Sequence, residues 1–316
     1  MKIGFNAPTG GPLAAPDNLA KLAQGAEAIG FDYATFSDHV VIPTDISTRY
    51  PYTDTGEFPT GSRGDRHEQL TELAWVAAKT TRLRLVTSVM VVPHRAPVLT
   101  AKVLSTIDIL SGGRLTVGIG AGWLKEEIEA MGSSYEARGR ITDETMQVCK
   151  ALWTQAEASF KGEFTSFDKL LFEPKPVQKP HPPIWIGGES GPALRRVARL
   201  GDGWYPIGTN PSFPLDSLAR YQAAVAKMRG LVSAAGRDPA SVALAYRVQK
   251  YGPEVPALAG DGNRRMFAGS DEAVAADLRA LAAMGVDSMD FNFTGASVDA
   301  ILDSMAAFHR NIIGKV

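Results

Sequence analysis

An acid and an imidazole, Asp38 and His39, follow Ser37 at the end of the apolar run Tyr33 to Phe36 in "DYATFSDHVVIP", and apolar residues resume directly after them. An imidazole titrates near neutral pH and a neighbouring carboxylate such as Asp38 can orient it, so the pair suits proton transfer to or from a reacting group. A plainer reading stays open beside that one, with Asp38 capping a turn and His39 a satisfied structural histidine. Two glycine-rich stretches point to a different chemistry. "TVGIGAGW", Thr116 to Trp123, has Gly118 and Gly120 at the first two positions of a dinucleotide fingerprint. Trp123 stands at the third, and no ribose-binding acid follows in a βαβ context, so the fingerprint fails. What survives is physical: glycines after a strand let the backbone approach something flat or anionic without obstruction by a Cβ. In "IGGESGPALRR", Gly187, Gly188 and Ser190 precede a helix whose N-terminal N–H groups favour an anion, which suggests a phosphate-bearing ligand unless the glycines merely punctuate the helix.

Other chemistries find no pattern to support them. His39, His67, His94, His181 and His309 are scattered, with neither an H-x-H pair nor an H-E-x-x-H, so no metal site is expected. The serine of "GESGP" cannot form a nucleophile elbow, because Pro192 occupies the position of the second glycine. Cys149, the only cysteine, falls on the apolar stripe Ile141, Thr145, Val148, Cys149, Leu152 and reads as a buried core thiol. With 33 basic and 34 acidic residues the formal charge is −1, and no block of like charge offers itself to nucleic acid or to an anionic membrane surface. No apolar stretch approaches the ~20 residues of a spanning helix, and the N-terminus lacks a signal-type apolar region, so a cytoplasmic protein with a small-molecule substrate is expected.

These residues need elements to hold them, and periodicity supplies the outline. Short apolar runs alternate with stretches in which apolar residues recur every three or four positions. Lys2 to Asn6, Tyr33 to Phe36, "LRLVTSVMVV", "LTVGIGAG", "PIWIGG", "GWYPIG", "VALAYRV" and "SMDFNF" read as strands, each followed by a helical stripe. Eight such units in order predict a single (β/α)8 TIM barrel over residues 1–316, with Ser37 to His39 and both glycine stretches at its carboxyl-end mouth. Three connections are too long for plain turns: about 40 to 66, about 154 to 182 and about 249 to 270. The first carries Tyr50, Tyr52 and Phe58, which are expected to border the substrate cavity. The second contains "SFKGEFTSFD", a hairpin pattern that would decorate the barrel rather than form a domain.

Over nearly its whole length the chain resembles the luciferase-like monooxygenase superfamily, and within it the oxidoreductases dependent on the deazaflavin coenzyme F420. The residues that carry the resemblance are "SDHVVIP", "TSVMVVPHRAPVLTAKVLSTIDILSGGRLTVGIGAGWLKEEIEAMG", "RGRITDETMQVCKALW", "FEPKPVQKPHPPIWIGG", "GDGWYP" and "FAGSDEAVAADLRALAAMGVD". The resemblance implies a flavin or deazaflavin ring in the barrel mouth with Asp38 and His39 beside it. Gly120, Ala121 and Gly122 would approach the ring and its side chain through backbone, while Gly187, Gly188 and Ser190 would lie near the phosphate. It also implies a bulge in the third strand, with a non-proline cis peptide between Ser88 and Val89 and Val89 backing the ring. Some alcohol and sugar-phosphate dehydrogenases of the family have a glutamate where this chain has Trp123, so their substrates do not carry over. The implied activity is hydride transfer between coenzyme F420 and a small organic substrate, with His39 moving the accompanying proton. The alternatives are a monooxygenase using reduced FMN and, from another class, a non-catalytic flavin-binding protein. A homodimer is expected by analogy alone.

Overall fold

The structure, a computed structural model, describes residues 1–59 and 64–316, so four positions of the first long connection lie outside it. The apolar runs form parallel strands because helices cover their outer faces and a packed barrel interior covers their inner ones. In chain order these are β1 (Lys2–Asn6), β2 (Tyr33–Phe36), β3 (Arg84–Thr87), β4 (Met90–Val91), β5 (Leu115–Gly120), the hairpin strands β6 (Glu157–Lys161) and β7 (Ser166–Leu171), then β8 (Ile184–Gly187), β9 (Gly203–Tyr205), β10 (Ala243–Val248) and β11 (Val286–Phe291). Hydrogen bonding runs β3-β2-β1-β11-β10-β9-β8-β5, and β3 pairs again with β5 through Leu85 and Leu115, which closes an eight-stranded barrel. β4 continues the line of β3 beyond an interruption at Ser88 and Val89 and pairs with β5, Met90 opposite Ile119.

The helices are α1 (Pro16–Ile29), α2 (Gln69–Lys79), α3 (Pro97–Leu110), α4 (Lys125–Ala130), α5 (Arg138–Thr154), α6 (Gly191–Leu200), α7 (Leu218–Ala234), α8 (Asp271–Ala283) and α9 (Val298–Asn311). Each longer one turns an apolar stripe to the sheet. In α1 the buried positions are Leu19, Leu22, Ala23 and Ala26, and Gly30 ends the helix in the left-handed region at φ 112°. Serines at positions 190, 217, 270 and 297 cap α6, α7, α8 and α9 by accepting a backbone N–H. Cys149 lies fully buried in α5, where desolvation pushes its thiol far above the ordinary range. Six-residue α4 was not foreseen: it is too short to show a periodic stripe, and the sequence pattern passes from β5 straight to the helix of Cys149. β6 and β7 form the antiparallel hairpin expected in the second long connection.

Inside the barrel the alternation of strand side chains sets up two layers. The lower layer is bulky: Tyr33, Val86, Trp185 and Ala245 pack together, with Tyr33 edge-on to Trp185 at 6.2 Å between ring centroids. Two residues further along the same strands come Thr35, Ser88, Gly187 and Arg247, so the layer facing the mouth is small or polar. Outside the barrel, Glu72 in the first turn of α2 has a buried side chain whose two oxygens lack a hydrogen-bond partner among the described residues, with His67 Nδ1 at 3.9 Å. Burial pushes its carboxyl up to about 8. Between the unfolded value near 4.5 and pH 8 the folded chain holds a proton that the unfolded chain has lost, so this group lowers stability as pH rises through that window. Glu72→Met is expected to stabilise the protein by about 1–3 kcal/mol at neutral pH. Its advantage in chemical denaturation should grow from pH 5 to pH 8 and then level off; an advantage independent of pH would contradict the assignment.

Candidate active site

A cavity of about 590 Å³ opens at the carboxyl ends of the strands, within the range of sites that enclose a small-molecule cofactor. Asp38, His39, Ser88, Val89, Gly120, Ala121, Gly122, Gly187, Gly188 and Ser190, far apart in the chain, all line it. Its back wall is built around Val89. The Ser88–Val89 peptide is cis, and the ladder of β3 breaks there before resuming at Met90. The Val89 methyl groups press on β5 and β8 so closely that a Cβ would stand 2.7 Å from Cγ2 at Gly120 and 2.9 Å from Cγ1 at Gly187. Glycine at both positions is therefore a packing requirement, and the result is a flat surface of backbone and one stiff apolar side chain.

The acid that orients His39 is Glu127 and not Asp38. His39 Nδ1 lies 2.7 Å from Glu127 Oε2, and the other carboxylate oxygen accepts the Val40 and Val41 N–H groups at 2.6 and 3.2 Å. Burial would raise the Glu127 carboxyl, but the His39 hydrogen bond and the imidazoles of His39 and His94 hold it below the ordinary carboxylate range. His39 Nε2 has no protein partner among the described residues and is left for chemistry. Asp38 makes other contacts. It accepts the Val91 N–H at 2.8 Å and a two-pronged ion pair from Arg95 at 2.7 and 2.9 Å, which pins the chain just after the bulge. Asp38 thus supports the wall that Val89 forms. In the sequence, Glu127 belongs to "LKEEIEA" and looks like part of a solvated charged face, so nothing local marks it.

Arg247 and Asp290 were also not foreseen, because "VALAYRV" and "SMDFNF" read as ordinary apolar strands. Asp290 is fully buried and accepts the Tyr205 hydroxyl at 2.6 Å, with Arg247 Nη1 at 3.4 Å from its other oxygen. Arg247 donates to Ser88 Oγ at 2.5 Å and to Asn6 Oδ1 at 2.6 Å. This network ties the bulge to β1, β9, β10 and β11 and leaves a guanidinium in the floor of the cavity. Desolvation raises the Asp290 carboxyl, with Arg247 opposing the rise.

At the outer end of the cavity Ser190 caps α6, and Arg138 and Gly139 begin α5. Arg138 lies over the Tyr135 ring at 3.7 Å and donates to the Gly122 carbonyl at 3.2 Å. Two helix N-termini and a guanidinium make this end suited to a phosphate. Glu189, between them and the floor, is buried, accepts the Ile207 N–H at 2.7 Å, and has a carboxyl pushed up to about 7 by burial.

Residues 47–58 of the first long connection lie against the mouth. Glu126 in α4 holds them, accepting from both N–H and hydroxyl of Ser47 and of Thr48. Tyr50 packs on Tyr52, Phe58 and Trp123 at 5.4, 5.2 and 4.9 Å, and His39 meets Phe58 edge-on at 5.5 Å. Tyr50 and Tyr52 line the first cavity, whereas Phe58 lines an adjoining one that Tyr50 also borders. Trp123 is thus part of an aromatic cover beside His39. Among the described residues no group of three or more His, Cys, Asp or Glu side chains is placed to hold a metal ion. No helix among them is long and apolar enough to cross a membrane.

A planar ring with a phosphorylated side chain fits these residues: flat wall, cationic floor and anion-binding rim follow one another along a single cavity. Residues 1–251 match the model of the family described as luciferase-like monooxygenase. An uncharacterised protein of Mycobacterium tuberculosis is 37% identical over 210 residues, 66% of this chain and 70% of that one. The FMNH2-dependent dimethylsulfone monooxygenase of Pseudomonas putida is 35% identical over 193 residues, 60% of this chain and 48% of that protein, so the match spans about half of its length. Among solved structures, an F420-dependent secondary alcohol dehydrogenase in complex with an F420-acetone adduct superimposes with a TM-score of 0.71 at 17% identity, covering 100% of this chain and 98% of that one. At that identity the likeness is one of fold.

Proposed function

The chain belongs to the luciferase-like monooxygenase family, and on that premise we propose that it is an oxidoreductase transferring a hydride between coenzyme F420 and a small organic substrate. The observation that carries the proposal is His39, whose Nδ1 is held by a buried carboxylate while Nε2 is left over at the edge of a flat-walled cavity. A hydride acceptor or donor of the carbonyl or alcohol kind must gain or lose a proton as well, and an imidazole fixed in one orientation is suited to move it. The cofactor, when bound, supplies the redox chemistry itself. Val89, Gly120 and Gly187 would back its ring, and Ala121 and Gly122 would meet it through backbone. Arg247 would face its polar edge, with Arg138, Ser190 and the glycines before it near the phosphate. Asp38 and Ser88 would act through the bulge, keeping Val89 in place. Tyr50, Tyr52 and Trp123 would exclude water from the reacting face.

A second reading, a monooxygenase using reduced FMN, is favoured by the 35% identity to the FMNH2-dependent enzyme and would use the same wall and rim. Titrating the purified protein into each cofactor and following ring fluorescence separates the two. Coenzyme F420 is expected to be quenched with sub-micromolar affinity and FMN to bind at least about tenfold more weakly, a difference of about 1.4 kcal/mol. Tight FMN binding without F420 quenching would replace the first reading by the second.

A further inference from the structure

The rim of the cavity is suited to an anion, yet an acid stands beside it. Glu189 immediately precedes Ser190, the cap of α6, and its side chain lines the same cavity as Ser190, Arg138 and Gly139. It is 7% exposed. Its carboxyl oxygens accept from neutral donors, Oε1 from the Ile207 N–H at 2.7 Å and Oε2 from the Asn210 amide at 3.0 Å, and Asn210 is held in turn by accepting the Ser212 N–H at 3.0 Å. Among the described residues no cation forms an ion pair with Glu189. The guanidinium groups on the same cavity are engaged elsewhere: Arg196 is paired with Asp143 and Arg247 with Asp290, while Arg138 lies over the Tyr135 ring. At the wall Asp38 is paired with Arg95 and His39 with Glu127, and Glu136 stands two residues before Arg138 at the rim. The titratable groups that face Glu189 are the hydroxyls of Tyr52 and Tyr246, which burial raises and the Glu189 charge raises further, so both stay neutral.

We infer that Glu189 is a specificity-determining residue of the rim, one that holds a proton whenever a phosphate-bearing side chain is bound, so that phosphate and proton enter the site together. The physical reason is charge. Burial already pushes the Glu189 carboxyl up to about 7 in the free site, and a second anion in the same cavity would add repulsion that no cation paired with Glu189 offsets. The neutral acid removes that repulsion and still serves its neighbours. Oε1 continues to accept from Ile207, the hydroxyl oxygen keeps a lone pair for Asn210, and its O–H becomes a donor for the ligand. Binding above about pH 7 therefore moves a proton from solvent to Glu189, whereas well below that pH the proton is already there. The bound form keeps its proton to a higher pH than the free form. Affinity for a phosphate-bearing ligand is thus full below about pH 7 and falls above it by up to about tenfold per pH unit, until the bound form titrates as well. The inference rests on the reading that the rim takes the cofactor's phosphate.

Calorimetric titration of the protein at about pH 8 in HEPES and in Tris, buffers of different ionisation enthalpy, counts the protons taken up. Coenzyme F420 is expected to bring in about one proton, and its fragment that ends at the free ribityl chain, without the phosphate, about none. From about pH 6.5 to about pH 8.5 the affinity of F420 relative to the fragment should fall at least about tenfold, since whatever the shared ring contributes cancels in the ratio. Glu189→Gln, neutral and of similar shape, should abolish both the uptake and the fall. It should also bind F420 more tightly than the parent at about pH 8.5, a gain that misfolding does not produce. Equal proton uptake for F420 and the fragment, or a fall in the ratio that persists in Glu189→Gln, overturns the inference. If F420 does not bind at all, the cofactor assignment falls by itself. FMN against riboflavin then poses the same question between about pH 7.5 and about pH 8.5, where the FMN phosphate is almost fully ionised, and the same outcomes decide it.

Discussion

Replacing His39 by alanine is expected to leave coenzyme F420 binding within a few-fold of the parent and to slow turnover by roughly 10² or more, the usual scale for a general acid or base. The cofactor would lose little, because the wall, floor and rim of the first cavity come from Val89, Arg247, Arg138 and the glycine loops. The reaction would lose a ring nitrogen, His39 Nε2, that is oriented through Nδ1 and has no protein partner among the described residues. Alanine also removes the donor to Glu127, whose side chain is 1% exposed, so part of any loss could come from the loop that Glu127 holds through Val40 and Val41. His39→Asn separates the two effects. Its amide can donate to Glu127 from about where Nδ1 stands but cannot exchange a proton near neutral pH. The asparagine variant should match the parent in thermal stability and the alanine variant in turnover. Turnover near that of the parent in either one would reduce His39 to a structural role.

Arg247→Met should have the largest effect on stability, about 3–5 kcal/mol at neutral pH, because it strands the carboxylate of Asp290 at full burial. Tyr205 and Thr35 would still donate to that carboxylate, and they compensate only in part. The sign with pH follows from the raised Asp290 carboxyl. Without the guanidinium its folded pKa moves further above the unfolded value, so the folded chain keeps a proton that the unfolded chain releases, and stability falls as pH rises from about 4. The gap between Arg247→Met and the parent in denaturant unfolding should be wider at pH 8 than at pH 5. Arg247→Met combined with Asp290→Asn should recover much of the loss, since the buried charge goes with its partner. A single variant within about 1 kcal/mol of the parent at pH 8 would show that the pair contributes little.

The barrel is legible in the sequence, because both of its signals are local. A strand buried on two faces must be a short apolar run, a helix lying on it must repeat every three or four residues, and eight repeats in order leave few other closures. "IGG" and "GAG" at strand ends could be placed at the mouth for the same reason, and the cis bond at Ser88–Val89 followed from the resemblance of "TSVMVV" to a family pattern. The partners of the site residues were not legible. Glu127 meets His39 across 88 positions from a helix of six residues, too short to show a period. Asp38 sits one residue from His39, yet it serves Val91 and Arg95, partners more than fifty positions away that no local pattern relates to it. Arg247 and Asp290 occupy inward positions of β10 and β11, where sequence alternation alone does not tell the inside of a closed barrel from its helix-covered outside. Sequence by itself determined the barrel strands and the longer helices that cover them, and which strand ends carry polar or glycine residues, since those depend on neighbours along the chain. Tertiary structure alone decided which acid orients His39, which cation lies in the cavity floor and that an adjoining cavity also reaches His39, since each depends on barrel closure bringing together side chains that no local pattern relates.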